Sequence, residues 1–130
     1  MLVESLLCLA LNIFHEARSE PIESQIGVAA VTVNRSRDKG YPSSICKVVY
    51  EPSAFSWTSS KAKRSIKDVS QIKGEEDKKA FLQAKRIADL YLKGKIESTV
   101  GSRKYFNHKS MGKRFNTPYK PIRFDKLVYY

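Results

Sequence analysis

The chain of 130 residues is long enough for one folded domain and too short to hold two comfortably. Its hydrophobic fraction of 42% argues against a disordered chain and allows a sizeable core. Lysine and arginine number 24 against 13 acidic residues, and the resulting net charge of +11 predicts a polyanionic partner. Nucleic acid, an anionic membrane face, lipopolysaccharide and anionic cell wall polymers all fit that charge.

The first predicted helix spans residues 2–17, where apolar side chains recur at helical spacing. It ends before Pro21, because proline disfavours helical backbone at the residue that precedes it. Glu16 lies at the end of this apolar helix, so we expect its carboxyl group to be partly desolvated. Desolvation raises the pKa of a carboxyl group, which then keeps its proton near neutral pH and can act as a general acid. The alternative is an ordinary glutamate on a solvated last turn.

Four more segments precede the tail. A second helix is predicted over residues 21–37, because proline suits a first helical position and apolar residues follow at helical spacing. A short helix over 45–50 comes after a Gly-Tyr-Pro break. Residues 51–72 are expected to be irregular or short-stranded. A strong helix over 75–93 begins with three acidic residues, which favour its N-terminus through the helix dipole.

The tail from residue 98 onward is rich in aromatic residues and contains two prolines. We expect a loop-rich segment with a short terminal strand near residues 127–130. The chain has no internal repeat and no low-complexity linker. These elements predict one α+β domain over residues 1–130, mostly helical, with a small β or irregular lobe.

Cys8 and Cys46 each lie in an apolar helical pattern, and we interpret both as small core residues in preference to a disulfide. Two cysteines without CxxC spacing predict no zinc site. The apolar N-terminus has no basic segment in front of it, so we expect no signal peptide and no export route of the chain's own. No stretch is long enough to span a bilayer.

Glu16 and Glu20 form the candidate catalytic pair. Four residues apart, they would share one face of a continuous helix, but Pro21 places Glu20 on the turn, so the two can flank a cleft. Two carboxyl groups beside a cleft are typical of glycosidases, where they lie about 5 Å apart in retaining and about 6.5–9.5 Å apart in inverting enzymes. Arg18 lies between them, either as a surface cation or partner of Glu20, or as a substrate-binding group that orients a carboxylate.

Two clusters that combine aromatic with small polar residues are candidates for sugar binding. They are Phe55-Ser56-Trp57 and Tyr105-Phe106-Asn107-His108, and the predicted substrate-binding residues among them are Phe55, Ser56, Trp57, Tyr105, Asn107 and His108. The apolar face of an aromatic ring packs against a sugar ring, while amides and hydroxyls bind its substituents. The alternative for Phe55 and Trp57 is an ordinary place in the core. The two histidines, His15 and His108, lack HExxH or comparable spacing, so no metal site is predicted.

Basic residues gather after Trp57 and in the tail. They are Lys61, Lys63, Arg64, Lys67, Arg103, Lys104, Lys109, Lys113, Arg114, Lys120, Arg123 and Lys126. Residues of this kind mostly form solvated faces. Those of the tail alternate with aromatic residues, a pattern that would also fit single-stranded nucleic acid.

The first half of the chain resembles the catalytic domain of SleB-type cell wall hydrolases, a family of spore-cortex-lytic enzymes and phage-encoded lysins. The matching segments are Asn12-x-x-x-Glu16-Ala17-Arg18-Ser19-Glu20, Gly27 to Arg35, Tyr41-Pro42-Ser43, Ile45 to Tyr50 and Phe55-Ser56-Trp57. Order and spacing agree over residues 5–57. The helix over 75–93 agrees in position only, and the tail matches loosely. Ser19 differs from the glycine that the family usually has.

The resemblance implies a lysozyme-like α+β fold, a peptidoglycan substrate and cleavage between N-acetylmuramic acid and N-acetylglucosamine. Family members are described as lytic transglycosylases, with the first glutamate of the motif, here Glu16, as catalytic acid and base. Such an enzyme protonates the leaving oxygen, and the 6-hydroxyl of the muramic acid attacks to give an anhydro product. Glu20 would then be structural or supporting. No cofactor is implied.

Small size, the missing export signal and the positive charge favour a phage lysin over a spore enzyme. We expect it to wait in the host cytoplasm until a holin opens the membrane, and then to act on the cell wall as a monomer. Its cations would meet lipopolysaccharide or anionic wall polymers, and no nucleic acid partner is expected. Three alternatives stay open: a hydrolytic muramidase that acts on the same bond, a non-catalytic basic module that binds nucleic acid, and a metal-dependent N-acetylmuramoyl amidase.

Overall fold

The computed structural model describes residues 2–112 and 115–130 of the chain, so Lys113 and Arg114 of the predicted basic tail lie outside the described residues. The helices are α1 (Leu2–Ala17), α2 (Ile22–Ser36), α3 (Ile45–Val49), α4 (Lys61–Arg64) and α5 (Glu75–Leu92). Short 3-10 helices occupy Ser56–Ser59, Val69–Gln71 and Lys109–Met111, and the strands are β1 (Phe106–His108), β2 (Ile122–Phe124) and β3 (Leu127–Tyr129). The predicted mostly helical α+β fold with a small β lobe is confirmed.

α1 is the central helix, and it packs against α2, α3 and α5. Every residue from 8 to 14 is buried, so this part of the helix is enclosed on all sides. A helix with apolar residues all round belongs inside a core. The predicted bounds of α1, α2 and α5 agree with the structure to within one residue at each end. Because α1 leaves the core at its C-terminal end, Glu16 comes to lie where the buried interior meets the surface.

The tail forms a three-stranded antiparallel sheet in the order β1-β3-β2. Tyr129 of β3 pairs with Phe106 on one side and with Ile122 on the other. The predicted terminal strand is therefore present, and it is the central strand of the sheet. Asp125 lies in the turn between β2 and β3 with a φ of 50°, a left-handed conformation that aspartate tolerates better than most residues.

The sheet is joined to α2 by the ring of Tyr129, which lies against Gly27. A Cβ atom added at Gly27 would lie 2.8 Å from Cζ of Tyr129, so the close approach requires glycine. The hydroxyl of Tyr129 donates a hydrogen bond of 2.6 Å to the carbonyl of Ser24. These contacts fix the β lobe against the helix that follows the Glu16–Glu20 segment.

Cys8 and Cys46 form a disulfide, so the prediction of two unpaired core cysteines is wrong. The bond joins α1 to α3, and the two Cα atoms are 5.3 Å apart, within the usual range for a disulfide. Both cysteines lie in apolar helices, and burial in such a pattern is typical of paired and unpaired cysteines alike. Only the packing of α3 against α1 brings the two sulfur atoms together.

The segment predicted to be irregular or short-stranded contains three short helices and no strand in residues 51–72. The hydroxyl of Ser60 caps α4 by accepting from the backbone of Lys63, and Asp68 forms a capping box with Gln71. Serine and aspartate at these caps favour helical turns over a strand. Within the described part of the chain, none of the helices has both the length and the apolar character that crossing a membrane requires.

Candidate active site

Glu16 lies in the last turn of α1, and its side chain is half-buried. Burial raises the pKa of its carboxyl group to about 7, while the positive charges of Arg35 and Lys63 act in the opposite direction. The desolvated glutamate predicted from the sequence is therefore confirmed as a physical feature. At neutral pH its protonated and ionised forms are both well populated, as a group that gives and later takes up a proton requires.

A buried hydrogen-bond network lies one helical turn before Glu16. Asn12 is four residues earlier, hence on the same face of α1. Its Nδ2 donates to Oγ1 of Thr32 at 3.0 Å, and its Oδ1 accepts from Nε1 of Trp57 at 2.9 Å. Trp57 is only 3% exposed, so of its two predicted roles the structure favours the core residue over the direct sugar contact. Asn12 and Trp57 together hold the 3-10 helix Ser56–Ser59 against α1.

His15 packs between aromatic rings and stays uncharged at neutral pH. Its ring centroid is 4.6 Å from that of Trp57 and 4.9 Å from that of Phe14. Burial and, to a lesser extent, the nearby charges of Lys63 and Arg18 lower its pKa to about 4. A protonated imidazole next to Glu16 would favour the carboxylate. The neutral ring allows Glu16 to keep its raised pKa.

Arg35 is a site residue to which the sequence assigned no role beyond its place in the matching motif. Its guanidinium lies 5.5, 5.3 and 5.8 Å from the ring centroids of Tyr41, Phe55 and Tyr105. Its Nε donates to the carbonyl of Lys104 at 2.7 Å. Three aromatic faces around a cation are a favourable electrostatic arrangement. Arg35 is thereby held in place as a positive charge that acts on Glu16.

A cavity of about 560 Å³ lies beside this cluster. It is lined by Tyr50, Pro52, Ser53, Phe55, Ser56, Thr58 and Ser59. Hydroxyl groups and aromatic rings in one concave surface suit a sugar ring, and we call this the hydroxyl cavity. Of the predicted sugar-binding residues, Phe55 is 4% exposed and Ser56 is exposed. Glu16 is not among the described residues that line the cavity, and Phe55 links the cavity to Arg35.

Glu20 is held by the β lobe. Its Oε1 accepts a hydrogen bond of 3.0 Å from the backbone N–H of Lys126, in the turn between β2 and β3. Its carbonyl accepts from Nε2 of Gln25 at 2.9 Å. These bonds fit the structural or supporting role expected for Glu20. Its carboxylate joins the two lobes of the fold on the Glu16 side of the molecule.

Arg18 has Asp77 as its charged partner, and no ion pair between Arg18 and Glu20 is found among the described residues. The Nε of Arg18 lies 3.7 Å from Oδ1 of Asp77, at the start of α5, and both side chains are more than two-fifths exposed. The guanidinium lies 5.0 Å from the ring centroid of Phe14. Because Asp77 comes 59 positions later in the chain, no local pattern could have predicted this partner. The surface cation fits the structure, and contact of Arg18 with substrate stays a prediction.

The three predicted tail residues occupy different places. Tyr105 contacts Arg35, and its ring stacks on that of Phe115 with centroids 4.8 Å apart. Asn107 lies half-buried in β1. His108 is exposed, and its Nδ1 accepts from the backbone N–H of Ser110, which caps a 3-10 turn. Contact with substrate stays a prediction for all three. Among the described residues, no group of three or more His, Cys, Asp or Glu side chains is arranged to hold a metal ion.

Comparison with known sequences extends the resemblance into the tail. The sequence model of the family described as "Cell Wall Hydrolase" matches residues 19–130, which include Glu20 and Arg35, while Glu16 lies three positions before the match. The spore cortex-lytic enzyme of Bacillus subtilis is 45% identical over 47 residues, and that of Oceanobacillus iheyensis is 43% identical over 47 residues. These segments cover 36% of this chain but only 15% and 17% of those proteins.

Two solved structures share the fold over nearly the whole chain. The catalytic domain of the germination-specific lytic transglycosylase SleB from Bacillus anthracis has a TM-score of 0.64 at 23% identity, covering 96% of this chain and 92% of that domain. The catalytic domain of the Bacillus cereus SleB protein has a TM-score of 0.62 at 22% identity, with coverages of 97% and 89%. With a family match that runs from residue 19 to residue 130, the chain belongs to the cell wall hydrolase family.

Proposed function

We propose that this protein is a peptidoglycan-degrading lytic transglycosylase that cleaves the bond between N-acetylmuramic acid and N-acetylglucosamine, with Glu16 as its single acid and base. The observation that carries the proposal is a half-buried carboxyl group with a pKa of about 7 on which the charge of Arg35 acts. Arg35 in turn contacts Phe55, which lines a cavity with hydroxyl and aromatic walls. Family membership and the fold shared with the lytic transglycosylase SleB support it.

The proposed reaction needs one proton carrier and no water. Protonated Glu16 donates its proton to the glycosidic oxygen as the bond from that oxygen to C1 of the muramic acid breaks. The carboxylate of Glu16 then takes the proton of the 6-hydroxyl, whose oxygen bonds to C1 and closes the anhydro ring. Glu16 ends the cycle protonated, as it began. Arg35 and Lys63 stabilise the carboxylate in between, because their charges favour its ionised form.

We also propose that the protein acts as a phage endolysin, in the host cytoplasm until a holin opens the membrane and at the cell wall afterwards. The net charge of +11 supports contact with lipopolysaccharide or anionic wall polymers during that step. The proposed active form is a monomer. Expression without an export signal in a bacterial host, with and without a holin, tests this role: lysis should require the holin.

Mass spectrometry of the fragments released from purified peptidoglycan tests the reaction itself. We expect muramic acid ends that carry the anhydro ring, and digestion in water labelled with oxygen-18 should leave those ends unlabelled because water takes no part. Labelled reducing ends would identify a hydrolytic muramidase instead. Release of free stem peptides from intact glycan strands would identify an amidase.

The pH profile provides a second prediction. Only protonated Glu16 can donate, so kcat/KM should fall with rising pH above about 7, the pKa of that carboxyl group. Lys63 lowers this pKa, so the Lys63→Met substitution should raise the pKa and move the falling limb to higher pH. Lys61→Met, in the same short helix, is the matched control and should leave the limb in place. If the Lys63→Met substitution leaves the falling limb of the pH profile in place, the loss of activity reflects the titration of a group other than Glu16.

A further inference from the structure

A second cavity lies in the tail, and nothing in the proposed reaction uses it. Its volume is about 250 Å³. It is lined by Lys104, Tyr105, Asn116, Thr117, Pro118, Tyr119 and Tyr130, and we call it the tail cavity. Ligand pockets for drug-sized molecules usually measure about 300–1,000 Å³, so a cavity of this size has room for roughly one ring-sized group.

The walls of the tail cavity have the chemistry of a sugar site. Three tyrosines line it, of which Tyr119 is exposed and can offer a ring face to a sugar, while Asn116 and Thr117 supply an amide and a hydroxyl. The ring of Tyr119 is supported by Arg103, whose guanidinium is 5.0 Å from the ring centroid, and Tyr119 is still 39% exposed. Arg103 is itself fixed, because its Nη1 donates to the carbonyl of Val100 at 3.0 Å and its Nη2 to that of Lys120 at 2.6 Å.

The charges at the cavity favour a neutral ligand over a phosphate. Lys104 is the one charged residue among the described residues that line it. Its ammonium group forms an ion pair with Asp38, whose carboxylate neutralises it. A site for a nucleic acid backbone needs cations that are available for phosphate groups.

Arg35 connects the tail cavity to the hydroxyl cavity. Tyr105 lines the tail cavity and Phe55 lines the hydroxyl cavity, and their ring centroids lie 5.8 and 5.3 Å from the guanidinium carbon of Arg35. Each cavity therefore contributes one ring to the same cation. The two cavities are therefore neighbours in the structure.

We propose that the tail cavity is a second saccharide subsite, which holds a ring of the same glycan strand that occupies the hydroxyl cavity. This inference rests on the proposed function, since it takes a glycan strand as the substrate. The subsite would lengthen the stretch of strand that the protein holds. It would raise affinity for long strands without adding a group to the chemistry at Glu16.

Binding in the absence of cleavage tests the subsite separately from the reaction. The Glu16→Gln protein serves as the parent, and its Kd is measured for peptide-free glycan strands prepared from peptidoglycan. Adding Tyr119→Ala and Asn116→Ala together should raise the Kd about tenfold, equivalent to about 1.4 kcal/mol. Met111→Ala is the matched control, because Met111 is 65% exposed and lies in the same lobe outside the cavity. Its Kd should stay within about twofold of the parent value.

The outcomes distinguish a saccharide subsite from a peptide site, from a cavity with no role in binding and from misfolding of the variant. Unchanged affinity in the Tyr119 and Asn116 variant would overturn the subsite, even if Glu16 proves catalytic. Equal loss of affinity for free stem peptides would overturn the saccharide assignment and indicate a peptide site. Asn116→Ala alone, at an exposed position, should give a smaller loss in the same direction, which excludes misfolding as the cause if thermal unfolding is unchanged.

Discussion

Glu16→Gln is expected to lower the rate of peptidoglycan cleavage by about 10²–10⁴-fold, the usual contribution of a general acid–base group. Glutamine has nearly the shape of glutamic acid but no acidic proton to give to the leaving oxygen. The rate should be measured as release of soluble fragments from purified cell walls, at a pH below about 7, where the parent carboxyl group is protonated.

Glu20→Gln is the matched control for this substitution. The amide oxygen of glutamine can accept the same hydrogen bond that Glu20 accepts from the backbone of Lys126. We therefore expect a much smaller loss of rate than at Glu16. Wall clearance at the parent rate by the Glu16 variant would refute the acid–base role. DNA binding that depends strongly on salt and is unchanged by Glu16→Gln would instead support a basic nucleic-acid-binding module.

Stability shows whether the Glu16 variant is folded. The carboxyl group has a pKa of about 7 in the folded chain against an ordinary value of 4.5. Below pH 4.5 the carboxyl group of Glu16 is protonated in both the folded and the unfolded chain, so its ionisation does not lower the free energy of unfolding there. As the pH rises from 4.5 through 7, the unfolded chain releases the proton first, and the parent protein loses stability. Glutamine has no such loss, so the variant should be at least as stable as the parent above pH 7.

Removal of the disulfide is expected to destabilise the fold by about 4 kcal/mol, the loop-entropy value for cysteines 38 positions apart. The physical reason is that the unfolded chain gains the conformations that the cross-link excludes. Cys8→Ala with Cys46→Ala should lower the thermal midpoint by more than about 10 °C. Differential scanning calorimetry of the parent protein and the double variant measures the change.

The effect of a reductant controls for the loss of the two sulfur atoms. Dithiothreitol should lower the thermal midpoint of the parent protein towards that of the double variant, and it should not affect the variant. Equal midpoints for the oxidised and reduced parent protein would contradict a stabilising cross-link. Disulfides persist in oxidising compartments and are rare in the cytoplasm, so the bond fits the proposed action at the cell wall and not the proposed wait in the host cytoplasm.

Glu16 illustrates how far local pattern reaches. An apolar helix that ends in a glutamate is visible in the sequence, and it predicts a partly desolvated carboxyl group. The packing of the fold decides between this and a solvated last turn. Arg35 shows what the local sequence pattern cannot predict. Its position at the end of α2 was visible, but the three rings around it come from residues 41, 55 and 105, which only the fold brings together.

The sequence by itself determined the three long helices, the terminal strand, the family and the place of Glu16 at the end of an apolar helix, because each depends on neighbours within a few turns of chain or on a contiguous motif. Only the tertiary structure decided the Cys8–Cys46 bond, the burial of Trp57 against Asn12, the partner of Arg18 and the two strands that flank β3. Those contacts join residues far apart in the chain, and their energies depend on how whole elements pack, which no local periodicity encodes.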